Sequence, residues 1–195
     1  MQKTLLPRRP EVNSDYAEQI RRLRILASDR RYADVVAEIK NSKNIDFELA
    51  TTLVAELSEY GGIEWVHPLF DLGASLDGAN REGRTPLASC IFGVRDRYET
   101  FPLFVELLFM GADPNLPAEQ GYLPLQLAIE MNLPEYAIAL LVMGADPSRS
   151  DNTFEHGSAE KMLEKAIPRE LYWARELVRR WNRGNSVNLR NRVIP

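Results

Sequence analysis

Residues 118–147 read AEQGYLPLQLAIEMNLPEYAIALLVMGADP: a turn, a short apolar helix, a second turn, a second apolar helix and a glycine-led stop. Pro124 stands where the first turn of a helix accepts proline, because the N–H it lacks has no partner there. Gly144 follows the apolar run Ile138–Met143, where glycine can take the left-handed conformation that ends a helix. Across residues 135–143, Tyr136, Ala137, Leu140 and Leu141 lead on to Gly144 and mark one apolar helical face. A single pair of helices this short cannot cover such a face, so neighbours built the same way are expected beside it.

The neighbours are legible. Gly111-Ala112-Asp113-Pro114 returns as Gly144-Ala145-Asp146-Pro147, 33 residues later, and Gly73-Ala74-Ser75 is a weaker copy 38 residues before the first. Gly83-Arg84-Thr85-Pro86-Leu87 returns as Gly121-Tyr122-Leu123-Pro124-Leu125, again at an interval of 38. Two separate markers share that interval. The five residues by which it exceeds 33 fall near Val94-Arg95-Asp96-Arg97-Tyr98, between two expected helices. Thr85 can cap a helix with its hydroxyl, whereas Leu123 in the matching place cannot. Leu123→Thr is therefore expected to stabilise by up to ~1 kcal/mol.

These residues resemble the ankyrin repeat, a family with a period of 33, a Thr-Pro-Leu helix start and a Gly-Ala-Asp turn. The resemblance implies an all-α solenoid of about five helix-turn-helix repeats with degenerate first and last copies as caps. Copies are expected over residues 20–46, 47–77, 80–117, 118–150 and 151–182. Residues 1–19 then form an N-terminal extension, 20–182 the repeat domain and 183–195 a tail without helical period.

Composition fits this outline. The chain has 195 residues, 45% hydrophobic and 27% charged, enough for one domain or one continuous stack. Cys90 is the sole cysteine, which rules out an intramolecular disulfide. No apolar stretch reaches the length of a signal peptide or a membrane span, so a cytoplasmic protein is expected. A monomer is expected as well. The net charge of −4 is segregated. Residues 1–31 carry eight Lys/Arg against four Asp/Glu, and 168–195 carry seven against two. Residues 32–167 carry nine against 22. An acidic middle of this kind suits a partner with a basic surface and disfavours nucleic acid.

Catalytic chemistry finds no foothold in the sequence. His67 lies beside Pro68 in the helical stretch Glu64–Leu72 and reads as a structural or surface side chain. His156 lies in the hairpin-like segment Asp151–Gly157, where a binding contact is a better reading than catalysis, and Cys90 occupies the place of a small packed residue. No His/Cys spacing suits a metal, and no glycine loop suits a phosphate. Asp113 and Asp146 belong to the repeated turn, where such residues bond local backbone. No catalytic residue, metal or cofactor is expected. The C-terminal segment 173–183 reads as an amphipathic helix with Trp173, Leu177, Val178 and Trp181 inward and Arg175, Arg179, Arg180 and Arg183 outward.

The resemblance also implies where a partner binds: turn tips and the concave face of the first helices. The matching positions here are Arg81, Glu82 and Arg84, then Glu119, Gln120, Tyr122, Glu130 and Met131, then Asn152, Thr153 and Phe154. Such a module suits inhibition of a basic partner, and small ankyrin-like proteins serve as immunity partners of toxins. The alternative is a non-inhibitory adaptor.

Overall fold

The computed structural model describes residues 14–93, 97–118, 121–150, 157–165 and 169–182, and every regular element among them is helical. The chain divides into two compact units, residues 1–113 and 114–195.

In the first unit α1 (Ser14–Ser28) is followed by α2 (Tyr32–Asn41), α3 (Phe47–Leu57), α4 (Val66–Asp71), α5 (Pro86–Phe92) and α6 (Arg97–Met110). The apolar period selects the buried faces: Ile20, Leu23 and Ala27 on α1, and Val35 and Ile39 on α2. Side-chain caps start two of the helices. Asp46 accepts from the Leu49 N–H at 2.9 Å, and Thr85 accepts from the Ala88 N–H at 3.4 Å with Pro86 next to it. Helix α1 packs on α2 and α3, α3 on α4 and α5, α5 on α6, and α2 on α4. Trp65, Phe104, Leu49, Leu53 and Leu87 fill the core between them. The Trp65 indole reaches the Gly61 carbonyl at 2.8 Å, so the largest buried ring leaves no donor unpaired.

The second unit holds α7 (Pro124–Glu130), α8 (Pro134–Val142), α9 (Ala159–Lys165), a 3-10 turn (Arg169–Leu171) and α10 (Tyr172–Asn182). Helix α7 packs on α8 and α9, and α10 on α8 and α9. Leu125, Leu133, Tyr136, Leu140, Leu163 and Leu171 are among its buried side chains.

One helix ending recurs. The Gly111 N–H bonds the Leu108 carbonyl at 3.2 Å and the Ala112 N–H bonds Leu107 at 3.0 Å. Gly144 and Ala145 do the same with Leu141 and Leu140, at 3.3 and 2.9 Å, and Gly73 and Ala74 with Phe70 and Leu69, at 2.8 and 3.2 Å. This pair of bonds closes the last turn and needs a left-handed residue at its first member. Gly144 has φ 97°, and a Cβ placed there would meet nothing, so backbone conformation alone demands glycine. Arg30 and Asn132 hold the equivalent place after α1 and α7 with φ 57° and 53°.

Several expectations are corrected. Helix α1 begins at Ser14, so it takes the last residues of the stretch read as an extension. Of the surplus near residues 94–98, Arg97 and Tyr98 open α6, which has 14 residues where α8 has nine, and residues 94–96 lie outside the described residues. Trp173 does not point inward; it is 62% exposed. The buried stripe of this segment is Leu171, Ala174 and Val178, because small and branched side chains allow close approach to α8 and α9. Leu177 is half-buried, the Arg175 Nε donates to the Leu163 carbonyl at 2.8 Å, and the Trp181 side chain lies outside the described residues.

The expectation for Leu123 is also reversed. Its side chain is 5% exposed, and its N–H is already taken by the Gln126 amide oxygen at 3.0 Å. Loss of a buried leucine, ~1.5–3 kcal/mol, outweighs a cap of ~1 kcal/mol. Leu123→Thr is thus expected to lower stability by about 1 kcal/mol, read as the midpoint of urea unfolding. Gly144→Ala is expected to cost about 1–2 kcal/mol, and Gly144→Asn less, in the same titration.

Candidate functional site

The site grows out of the end of α3. Tyr60 follows that helix, and its carbonyl accepts from the Tyr32 hydroxyl at 2.9 Å, which fixes the backbone there. The Tyr60 hydroxyl faces α1, where the Arg24 Nε donates to it at 3.0 Å. Arg24 also lies against the phenol face, 5.9 Å from its centroid.

Below this pair is Glu56, whose side chain is 1% exposed. Its carboxylate meets the Arg24 Nη1 at 3.3 Å and accepts from the Arg81 backbone N–H at 3.3 Å. The Arg81 guanidinium approaches the same carboxylate to 3.9 Å, beyond hydrogen-bond range. Its Nε and Nη2 are buried without a hydrogen-bond acceptor. Burial pushes the Glu56 carboxyl above its ordinary range; the Arg81 N–H and the two guanidiniums work against that push.

Arg81 and Arg84 are presented by the loop Asn80–Arg84. Asn80 is buried, and its amide oxygen accepts from the N–H groups of Glu82 and Arg84 at 3.0 and 2.9 Å. The Asn80 N–H closes the loop on the Arg84 carbonyl at 2.9 Å. The Arg84 guanidinium lies 4.3 Å from the centroid of Phe92, and its Nη1 is 3.8 Å from Glu59.

Two surface clefts open on either side of Tyr60. One, of about 550 Å³, is walled by Arg21, Arg24, Ile25 and Arg81. The other, of about 500 Å³, is walled by Arg30, Glu59, Arg84 and Phe92. Ser28 and Tyr60 belong to both.

Of the positions expected to touch a partner, Arg81 and Arg84 therefore line these clefts, and Glu82 sits half-buried between them. Tyr122, Glu130 and Met131 lie in the second unit. Tyr122 closes the loop begun at Ala118, its carbonyl 2.8 Å from the Ala118 N–H, while Glu130 and Met131 stand exposed where α7 ends. Glu119, Gln120, Asn152, Thr153 and Phe154, with His156, lie outside the described residues. Arg24, Glu56, Tyr60 and Phe92 were not anticipated. Arg24 is hidden in the basic run 21–24, and its partner Glu56 is 32 positions away. The doublet Gly61-Gly62 after Tyr60 is the one local sign that the backbone turns there.

The His67 Nε2 is exposed and lies 3.1 Å from the Glu106 carboxylate. Cys90 is fully buried, and burial drives its thiol pKa far up, away from nucleophilic thiolate. Among the described residues no group of His, Cys, Asp and Glu has the geometry to hold a metal, and no helix is long and apolar enough to cross a membrane. The groups gathered around Tyr60 are guanidiniums, two aromatic rings, the Glu56 carboxylate shared by two arginines, and the carboxylates of Glu18 and Glu59. Such groups hold and orient a ligand.

The raised Glu56 pKa has a defined sign. A carboxyl that ionises later in the folded state than in the unfolded contributes stability that is complete below the ordinary value of 4.5. That contribution is lost as pH rises through the folded value, and Glu56→Gln lacks it. The stability of the glutamine variant relative to the natural chain is expected to rise between about pH 4 and about pH 7, measured by urea titration at both. A flat or falling difference would remove desolvation as the governing cause.

No protein-family model matches this chain, and no curated protein matches it, so its function is argued from the geometry above.

Proposed function

We propose that this chain is a non-catalytic protein-binding module built from ankyrin-like helix pairs, and that it grips a partner with a basic surface. The observation that carries the reading is a bond that returns at equivalent places. The fourth residue after a helix-ending glycine accepts from the N–H of the second residue after the next such glycine. Asp77 serves Asp113 in this way at 2.8 Å within the first unit, and Asn115 serves Asp146 at 2.7 Å within the second. The loop preceding the proline-led helix recurs likewise. Gly83 bonds the Asn80 carbonyl at 2.9 Å and Gly121 bonds the Ala118 carbonyl at 3.0 Å. Turn residues spent on joining one turn to the next support a repeated architecture, in which each pair of helices depends on its neighbour.

A protein partner is supported by the loop Asn80–Arg84, whose arginines open onto clefts with aromatic walls. The excess of 22 Asp/Glu over nine Lys/Arg in residues 32–167 supports a basic surface on that partner, with fast association through charge steering. The same charge suits inhibition of a basic enzyme or toxin.

The test is affinity capture from native lysate with the tagged protein, at low and at high salt, followed by cross-link mapping. The expected result is a basic protein, lost at high salt and cross-linked near residues 81–84, 122 or 130–131. Its own activity is then assayed with and without one equivalent of this chain, and a fall is expected. An acidic captured protein, or cross-links confined to other faces, would sink the reading.

A further inference from the structure

We propose that the two clefts flanking Tyr60 act as one groove for an acidic segment of the partner protein, with an aromatic or leucine side chain seated among Ile25, Tyr60 and Phe92. This rests on the protein-binding reading and adds to it a subsite opposite in sign to the acidic surface.

The charge lining the groove is the first ground. Five arginines but only two glutamates, Glu18 and Glu59, face it. Glu56 lies beneath and is shared by Arg24 and Arg81, Glu82 is half-buried on the loop, and Glu99 faces Arg30 at 3.8 Å from α6.

The second ground is geometric. Arg21, Arg81 and Arg84 meet their nearest carboxylates, Glu18, Glu56 and Glu59, only at 3.8, 3.9 and 3.8 Å. None of these contacts is a hydrogen bond. A guanidinium presents a planar fork of donors that fits a carboxylate in two parallel bonds, so an incoming Asp or Glu makes contacts that the chain's own carboxylates do not. The buried Arg81 Nε and Nη2, without an acceptor, show that the internal pairing leaves donors over.

The third ground is the floor. Ile25 and Phe92 are partly exposed, and Tyr60 lies between them on the shared edge of the clefts. Apolar rings among guanidiniums provide the combination of anchor and rim that holds a short peptide segment. Nucleic acid also brings negative charge and flat rings. Its many phosphates, however, would lie against a chain of net charge −4, so a short acidic peptide segment is the better match.

The experiment selects a random dodecapeptide display library on the full-length protein, with the charge-reversed double variant Arg21→Glu/Arg84→Glu as counter-selection. Helical circular dichroism and thermal melting establish that the variant is folded; Arg21→Gln/Arg84→Gln is the milder substitute if it is not. The expected result is enrichment of peptides with clustered Asp or Glu beside an aromatic residue or leucine. The best of these, labelled with fluorescein, should bind the double variant at least about tenfold more weakly, and should weaken with added salt. Enrichment of basic or neutral peptides overturns the acidic occupant while leaving protein binding intact. So does equal binding to the folded double variant. Failure to enrich any peptide overturns the groove, and partner capture from lysate then tests protein binding separately. Displacement of the labelled peptide by a single-stranded RNA 20-mer at lower concentration than by the unlabelled peptide assigns the groove to nucleic acid and overturns the proposal.

Discussion

Helices as short as those found here, several of only six or seven residues, have little stability of their own and persist because each stops sharply and turns its apolar face onto a neighbour. The termination is therefore the constraint on which the rest depends. At Gly73, Gly111 and Gly144 the chain enters the left-handed region, and two crossed backbone bonds close the final turn. A residue with a Cβ is strained in that conformation, yet the protein accepts Arg30 and Asn132 at two equivalent places. The helix ends are thus unequal in stored strain. The strained arginine sits at the end of α1, where it also lines the second cleft.

Among the described residues, one charged side chain is buried with the core. Glu56 is a buried carboxylate whose desolvation is partly offset by Arg24 and by the backbone and guanidinium of Arg81. This ties α1, α3 and the Asn80–Arg84 loop together through charge. Removing either arginine would leave the carboxylate under-compensated. The two arginines that frame the first cleft therefore also hold its walls in register, so that cleft lining and fold share the same side chains.

What could be read in advance follows from how local each signal is. The glycine stops, the proline-led helices and the burial of Cys90 were legible because each depends on residues within a few positions of one another. Helix α2 is as local, its buried pair Val35 and Ile39 standing four residues apart. Trp173 was misread because hydropathy ranks a side chain without saying which stripe meets a neighbour; the packing of α10 on α8 and α9 selects Ala174 and Val178 instead. Of the site, Arg81 and Arg84 were visible through the repeated loop. Arg24, Glu56 and Tyr60 were not, since they meet only after distant helices have packed.

The lengthened α6 carries one more implication. A Cβ on Gly61 would lie 2.5 Å from the carbonyl carbon of Glu99, so the opening turn of that helix presses directly on the backbone just after Tyr60. Tyr98, 93% exposed, stands beside this wedge. The opening turn of α6 is a buttress for the backbone beside the tyrosine that the two clefts share, and shortening α6 from its first residues would withdraw that support.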